Sequence, residues 1–267
     1  MTDWATGLSS RFLLLEQPRS DVALIRLNRP DARNALSIGV RREIAAAFRR
    51  ADQCAEIRAI VLAGTPEYFA SGGDIKENAT LGPVDAIYRG WEKRDLWSTV
   101  SGCRTPMIAA VRGYALGGGA ELMMLADIIV ASEDARIGQP EVNVGIIPGS
   151  GGTQRLPKAI GKYRAMKMVL TGKWISGLEA SRCGLVSEAV SDDTVEARAL
   201  QIPTSVANNG PLATRFAKEA ILRSDDASIE VGLALEYKSF LTLFSTADFK
   251  AGVEAFLRKE TPKFFGR

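Results

Sequence analysis

The chain has 267 residues, 46% of them hydrophobic and 24% charged, with 34 basic against 31 acidic side chains and no histidine. This length and mix suit one large folded domain, or a core with a smaller appendage, and a net charge of +3 makes no electrostatic case for nucleic acid or an anionic membrane. Without histidine, the Ser-His-Asp triad, the Cys-His pair and most zinc sites are excluded, so proton transfer falls to Glu, Asp, Lys, Tyr or Cys.

No apolar run approaches the roughly 18 residues of a membrane span. Met1 to Ser10 lacks a basic segment followed by an apolar one, so no secretory signal is expected. Cys54, Cys103 and Cys183 are far apart and odd in number, with neither a disulfide framework nor metal-ligand spacing. Reduced thiols and a cytoplasmic location are the expectation.

In chain order, Arg11–Gln17 and Val22–Asn28 read as two strands around the turn Pro18-Arg19-Ser20-Asp21. Ser37 is placed to cap a helix. Val40, Ile44, Ala47, Phe48 and Ala51 share one face of it, and Arg41, Arg42, Glu43, Arg49 and Arg50 share the other. That second face fits a solvated surface, since acidic residues interleave, and also an RNA-binding stripe. Ala59–Ala63 is a short apolar run typical of a buried strand. A glycine-containing loop follows over Phe69–Ile75, then a helix over about Val84 to Ser101, then a strand over Met107–Val111. Gly117-Gly118-Gly119 opens a helix carrying Ala120–Ala126, and Ile128–Ala131 is again strand-like. The alternation argues for an α/β layered core. From about Ser150 the chain turns mainly helical. Pro211–Arg223 shows an apolar stripe, and Ser228 to Lys259 gives two helices broken near Ser245. The boundary near Asp193–Gln201 reads as a change of packing rather than a tether.

Two glycine-rich places lie between a strand and a helix: Ser71-Gly72-Gly73-Asp74 and Gly117-Gly118-Gly119. The first N–H groups of a helix lack internal partners and lie at its positive end, and two aimed at one point make an oxyanion hole. Tight packing or a plain turn also explains such clusters. Neither matches the spacing of a dinucleotide or P-loop motif. Glu121 falls in the first turn of a helix whose next residues, Leu122 to Leu125, are all apolar. It fits a partner of the helix dipole, or a buried acid with a function. Glu141 follows Gly138-Gln139-Pro140 and precedes Val142, Val144, Ile146 and Ile147, again an apolar setting.

The order Gly73, Gly118, Glu121, Glu141, in the contexts IAAVRGYALGGGAEL and DARIGQPEVNVGIIPGSGGTQRL, closely resembles the enoyl-CoA hydratase (crotonase) family. LNRPDARNALS, FASGGDIKE and LTGKWISGLEASRCGLVSEAV add to the resemblance, which covers nearly the whole chain. It is less specific for the reaction, since relatives run several on one scaffold. It implies an α/β fold, a crotonase-like spiral of ββα units over 1–195, with a C-terminal helical trimerisation region over 196–267. It also implies a homotrimer or dimer of trimers. By resemblance, the oxyanion amides are those of Gly73 and Gly118, and the catalytic acids are Glu121 and Glu141. Substrate and CoA contacts fall on Ala32, Arg33, Ser71, Gly72, Asp74, Ile75 and Gly117. A basic tail, Lys259, Lys263 and Phe264, reaches a neighbouring subunit's CoA. The chain departs from the family at Ala120, where many relatives have cysteine.

The reaction so implied is hydration of a 2-enoyl-CoA, with CoA as part of the substrate and no cofactor or metal. Isomerisation within the same family, or an RNA-binding homologue, are the alternatives. Tyr88, Trp91 and Trp97 fit either a wall of the acyl pocket or a core and subunit contact.

Overall fold

Residues that alternate inward and outward pair first at the N-terminus. There β1 (Leu13–Arg19) and β2 (Val22–Leu27) run antiparallel, with a bulge between Glu16 and Arg19. The computed structural model describes residues 4–267. β1 continues through Pro18, past its expected end at Gln17. It is the edge strand, where a proline's missing donor costs no ladder bond.

The chain then winds as a spiral. After a short 3₁₀ turn, Pro30–Ala32, helix α1 (Ile38–Gln53) starts where Ser37 Oγ accepts from the Val40 amide at 3.3 Å. Next come β3 (Ala59–Ala63), β4 (Tyr68–Ala70), α2 (Ile75–Asn78) and α3 (Pro83–Ser101). The following turn is β5 (Met107–Val111), β6 (Tyr114–Leu116) and α4 (Gly118–Met123). A third has β7 (Ile128–Ser132), β8 (Arg136–Gly138), a 3₁₀ turn at Glu141–Val144, and α5 (Gly152–Ile160). Each turn lays one strand in a six-stranded sheet and one in a four-stranded sheet before its helical segment. The repeated ββα unit implied by the resemblance is therefore present.

α6 (Lys162–Thr171), β9 (Trp174–Ser176), α7 (Gly177–Arg182) and β10 (Glu188–Val190) complete both sheets, ordered β1-β2-β3-β5-β7-β10 and β4-β6-β8-β9. From β2 to β10 the larger sheet is parallel. Its strands are buried on both faces, which is why they read as continuous apolar runs. Ile60, Leu62, Met107 and Ala109 face one core, shared with Phe48 of α1 and Leu122 of α4. Val61, Ile108 and Val130 face another, closed by Val195 and Ala199 of α8 (Val195–Ala207). That helix caps the sheet. Beyond it, α9 (Pro211–Arg223), α10 (Ile229–Leu243) and α11 (Ala247–Arg258) follow as expected. The α9 stripe is only partly covered. Leu212 and Phe216 line a cleft of about 750 Å³ with Met124 and Leu125 of the core.

Candidate active site

The loop after β4 is held by the segment after β2. Leu36 N–H donates to Gly72 O at 2.8 Å, Ser71 N–H donates to Arg33 O at 3.1 Å, and Leu36 bridges Gly73. Buried Asn34 reinforces the join, donating to the Tyr68 carbonyl at 2.8 Å. This brings the Ala32–Arg33 turn beside the glycine loop, with the Arg33 guanidinium over the Tyr68 ring. Asp74 caps α2 through the Glu77 amide and pairs with Arg29 at 2.7 Å. Burial opposes its ionisation, but Arg29 and the capping amides hold its carboxyl below the usual range.

The second glycine loop meets the first. A Cβ added at Gly118 would lie 3.4 Å from the Gly73 nitrogen, so the two loops are in contact at these glycines. Gly118 opens α4, and its N–H has no partner within the helix. Gly117 adopts φ +51°, and a side chain there would come within 2.9 Å of Glu141 Oε1. Glycine is required at 117 both for the dihedral and for the approach of that carboxylate.

Glu121, one turn into α4, is 3% exposed. Its Oε1 accepts from the amides of Ser150 at 2.6 Å and Gly152 at 2.8 Å, at the start of α5. Glu141 opens the 3₁₀ turn after β8 and is half-buried. Burial pushes its carboxyl up to about 7, its own amide opposes that, and the charge of Glu121 adds to the rise. Buried Gln139 lies beside Glu141 and against Gly152, whose amide holds Glu121. With its amide nitrogen toward Glu141 it donates to both oxygens, at 3.0 and 3.2 Å, a contact that favours the ionised carboxyl and opposes the upward push of burial, while its amide packs on Gly152. The fold thus gathers Gly73, Gly118, Glu121 and Glu141, together with Ser71, Gly72, Asp74 and Gly117.

Two expectations need correction. Arg41 does not belong to the solvated face of α1. It is 4% exposed, because position 41 lies next to Val40 and one turn before Ile44, on the flank of the buried stripe. Its guanidinium stacks over Trp97 at 4.6 Å and donates to Leu36 O at 3.1 Å. The rest of the basic face is dispersed: Arg42 pairs with Glu92, and Arg50 donates to Trp4 O. Second, the apolar residues after Glu141 do not bury it. Val144, Ile146 and Ile147 are 57%, 57% and 69% exposed, so the enclosure comes from Gln139 and Gly117 instead. The aromatic residues of α3 divide between the alternatives left open for them. Trp97 is buried, whereas Tyr88 and Trp91 form an exposed edge-to-face pair.

Ile75 is 64% exposed at the start of α2. The C-terminal tail is tied elsewhere in the same chain: Asp248 accepts from the Phe265 and Gly266 amides, and Arg58 donates to Phe264 O. Lys259, Lys263 and Phe264 are therefore not gathered with the two glutamates within one chain. Among the described residues no three His, Cys, Asp or Glu side chains form a metal-ligating group, and no helix is long and apolar enough to cross a membrane.

Sequence reasoning missed Gln139, Arg41, and the Ser150 and Gly152 amides. The last had a signal. Gly149-Ser150-Gly151-Gly152 opens a helix just as Gly117-Gly118-Gly119 does.

The same arrangement has relatives. Residues 17–267 match the enoyl-CoA hydratase/isomerase family. A probable enoyl-CoA hydratase of Rhizobium meliloti is 45% identical over 255 residues, covering 94% of this chain and 97% of that protein. The probable enoyl-CoA hydratase echA8 of Mycobacterium leprae is 44% identical over 246 residues, covering 92% and 95%. The crystal structure of an enoyl-CoA hydratase subunit from Geobacillus kaustophilus superposes with a TM-score of 0.92 at 41% identity, covering 96% of this chain and 99% of that one. Sequence match over nearly the full length and a common backbone agree with the meeting of the two glycine loops, and the chain belongs to the enoyl-CoA hydratase/isomerase family.

Proposed function

We propose that the chain is an enoyl-CoA hydratase, a hydro-lyase that adds water across the 2,3 double bond of a 2-enoyl-CoA to give a 3-hydroxyacyl-CoA. CoA enters as part of the substrate, and the reaction takes no separate cofactor. The observation that carries the reading is the pairing of two inequivalent carboxyl groups beside the meeting of the two glycine loops.

Negative charge builds on the thioester oxygen as the nucleophile attacks C3. The Gly73 and Gly118 amides are placed to receive it, and one such donor is worth roughly 3–4 kcal/mol. Glu121 is held through Oε1 by two backbone donors, which leaves Oε2 to orient a water and take its proton. Glu141, raised to about 7, delivers a proton to C2. The proton balance closes: one leaves water to Glu121, one reaches C2 from Glu141, and exchange through solvent resets the pair.

On this reading the Ala32–Arg33 turn and Ser71 flank the CoA, with exposed Arg33 available to its phosphates. Lys259, Lys263 and Phe264 serve a neighbouring subunit. The support for assembly into a trimer or a dimer of trimers is the exposed apolar surface of α10 and α11, where Ile229 is 77%, Phe256 82% and Leu257 75% exposed. A cytoplasmic location completes the reading.

The test is loss of enoyl absorbance with crotonyl-CoA and longer 2-enoyl-CoA thioesters. Glu121→Gln and Glu141→Gln should each lower kcat by at least about 100-fold. Near-normal turnover in either variant overturns the assignment. Conversion of a 3-enoyl-CoA without water uptake would redirect it to isomerisation.

A further inference from the structure

Arg41 is a buried cation that the reaction scheme has not used. It is 4% exposed and forms no ion pair with any carboxylate among the described residues. Its contacts are the Leu36 carbonyl, the Trp97 ring, and Ser150 Oγ at 3.5 Å from Nη1. An apolar side chain would fill such a place at lower desolvation cost, so stability alone does not account for a guanidinium there. Its location does. A Cβ added at Gly118 would lie 3.3 Å from Arg41 Nη2 and 3.4 Å from the Gly73 nitrogen, so the positive charge lies against the point where the two glycine loops meet.

We infer that Arg41 is a positioning residue of the hydration reaction, a fixed positive charge that backs the oxyanion amides and braces them against the loop that clamps Glu121. The inference rests on the proposed hydratase reading. The bracing is physical. Arg41 holds the Leu36 carbonyl, and the Leu36 amide holds Gly72 O, one residue before Gly73. On its other side it reaches Ser150, whose amide binds Glu121. One side chain therefore touches both halves of the machinery. The electrostatic part follows from burial, since a cation shielded from water acts strongly on charge that develops nearby. As the thioester carbonyl becomes an enolate, its oxygen gains negative charge on the side of the amides that Arg41 backs. The charged groups facing Arg41 are Glu121 of α4, Glu77 of α2 and Lys93 of α3. Glu77 is already engaged by Arg89 and the Ile38 amide, so Glu121 is the facing acid that takes part in the reaction.

The experiment uses the full chain and crotonyl-CoA, with Arg41→Met and Arg41→Gln to remove the charge and Arg41→Lys to keep it. The neutral variants should lose about 10–100-fold in kcat, with KM changed by less than about threefold. Arg41→Lys should recover most of the loss. A carbonyl-labelled butyryl-CoA, which cannot be hydrated, reports the field directly. Its thioester stretch should move to higher frequency in the neutral variants and stay near the wild-type position in Arg41→Lys. Having both Met and Gln at the position guards against one of them failing to fold. Neutral variants within about threefold of wild type, with an unmoved carbonyl band, overturn the inference. So does an Arg41→Lys variant as impaired as Arg41→Met, which would make the role one of shape. A wild-type protein inactive on every 2-enoyl-CoA refutes the hydratase reading itself, a different result.

Discussion

The carboxyl of Glu141 couples folding to proton uptake. Burial beside Glu121 raises it to about 7, whereas in the unfolded chain it titrates near the ordinary value of 4.5. Between those values the native state binds the extra proton, so this group's contribution to stability falls as pH rises from about 4.5 to 7, and stays lost above. Glu141→Gln removes the charged form. It should melt at the same temperature as wild type near pH 5 and higher near pH 8. The gain is about 1–2 kcal/mol, less than the full shift implies because water partly reaches the carboxyl. Thermal melts at the two pH values check this, and equal melting at pH 8 would contradict it. In the active protein the same titration should make kcat fall as pH climbs through about 7, because the acid is then ionised. Gly117→Ala puts a methyl group 2.9 Å from Glu141 Oε1 at a positive φ, so it should cost at least about 1 kcal/mol of stability and displace the acid. Crotonyl-CoA kinetics and denaturant unfolding read both effects. At this scale Glu121 and Glu141 could be singled out only through the family resemblance, since their own contexts left a structural and a functional reading open. The sequence was not legible where burial decides. Gln139 and Arg41 are a loop residue and a helix-face residue until the packing around them is known.

Among the elements, the long strands were readable because each is buried on both faces and so appears as an uninterrupted apolar run. The second sheet was not. β4, β6, β8 and β9 span three residues each, too few to show a period. Two of them nevertheless lead into the glycine loops, so the part of the fold that places the amides was visible only through resemblance. The last element also carries a test. Asp248, 6% exposed at the start of α11, accepts the Phe265 and Gly266 amides at 2.7 Å each and so ties down the tail. Asp248→Ala should cost about 1–3 kcal/mol and free the terminus. Hydrogen exchange at residues 262–267 should then rise well before global unfolding. Unchanged protection there would show that the Arg58 contact to Phe264 O suffices.

For the whole molecule, the contrast between its two ends matters most. The sheets enclose a dry core, while α10 and α11 leave Ile229, Phe256 and Leu257 largely uncovered. Light scattering should therefore return three or six times the mass of one chain, and Phe256→Glu with Leu257→Glu should shift it toward a single chain. A monomeric wild type would refute the proposed assembly. The alternation of strands and helices, and the turn to helices after Ser150, were both legible from periodicity. Which faces pair with other copies was not, because an apolar stripe reads the same whether it covers a core or a partner.

On the proposed reading, the grip on the carbonyl is made of peptide nitrogens at Gly73 and Gly118. Every amino acid except proline supplies that nitrogen, so no ordinary point mutation can delete the donor; it can only crowd or tilt it. Inheritance thus guards the enolate-holding part of the enzyme, while side chains around it stay free to drift. On such a scaffold new acyl-thioester reactions can arise by changing where protons are delivered, without rebuilding what holds the charge.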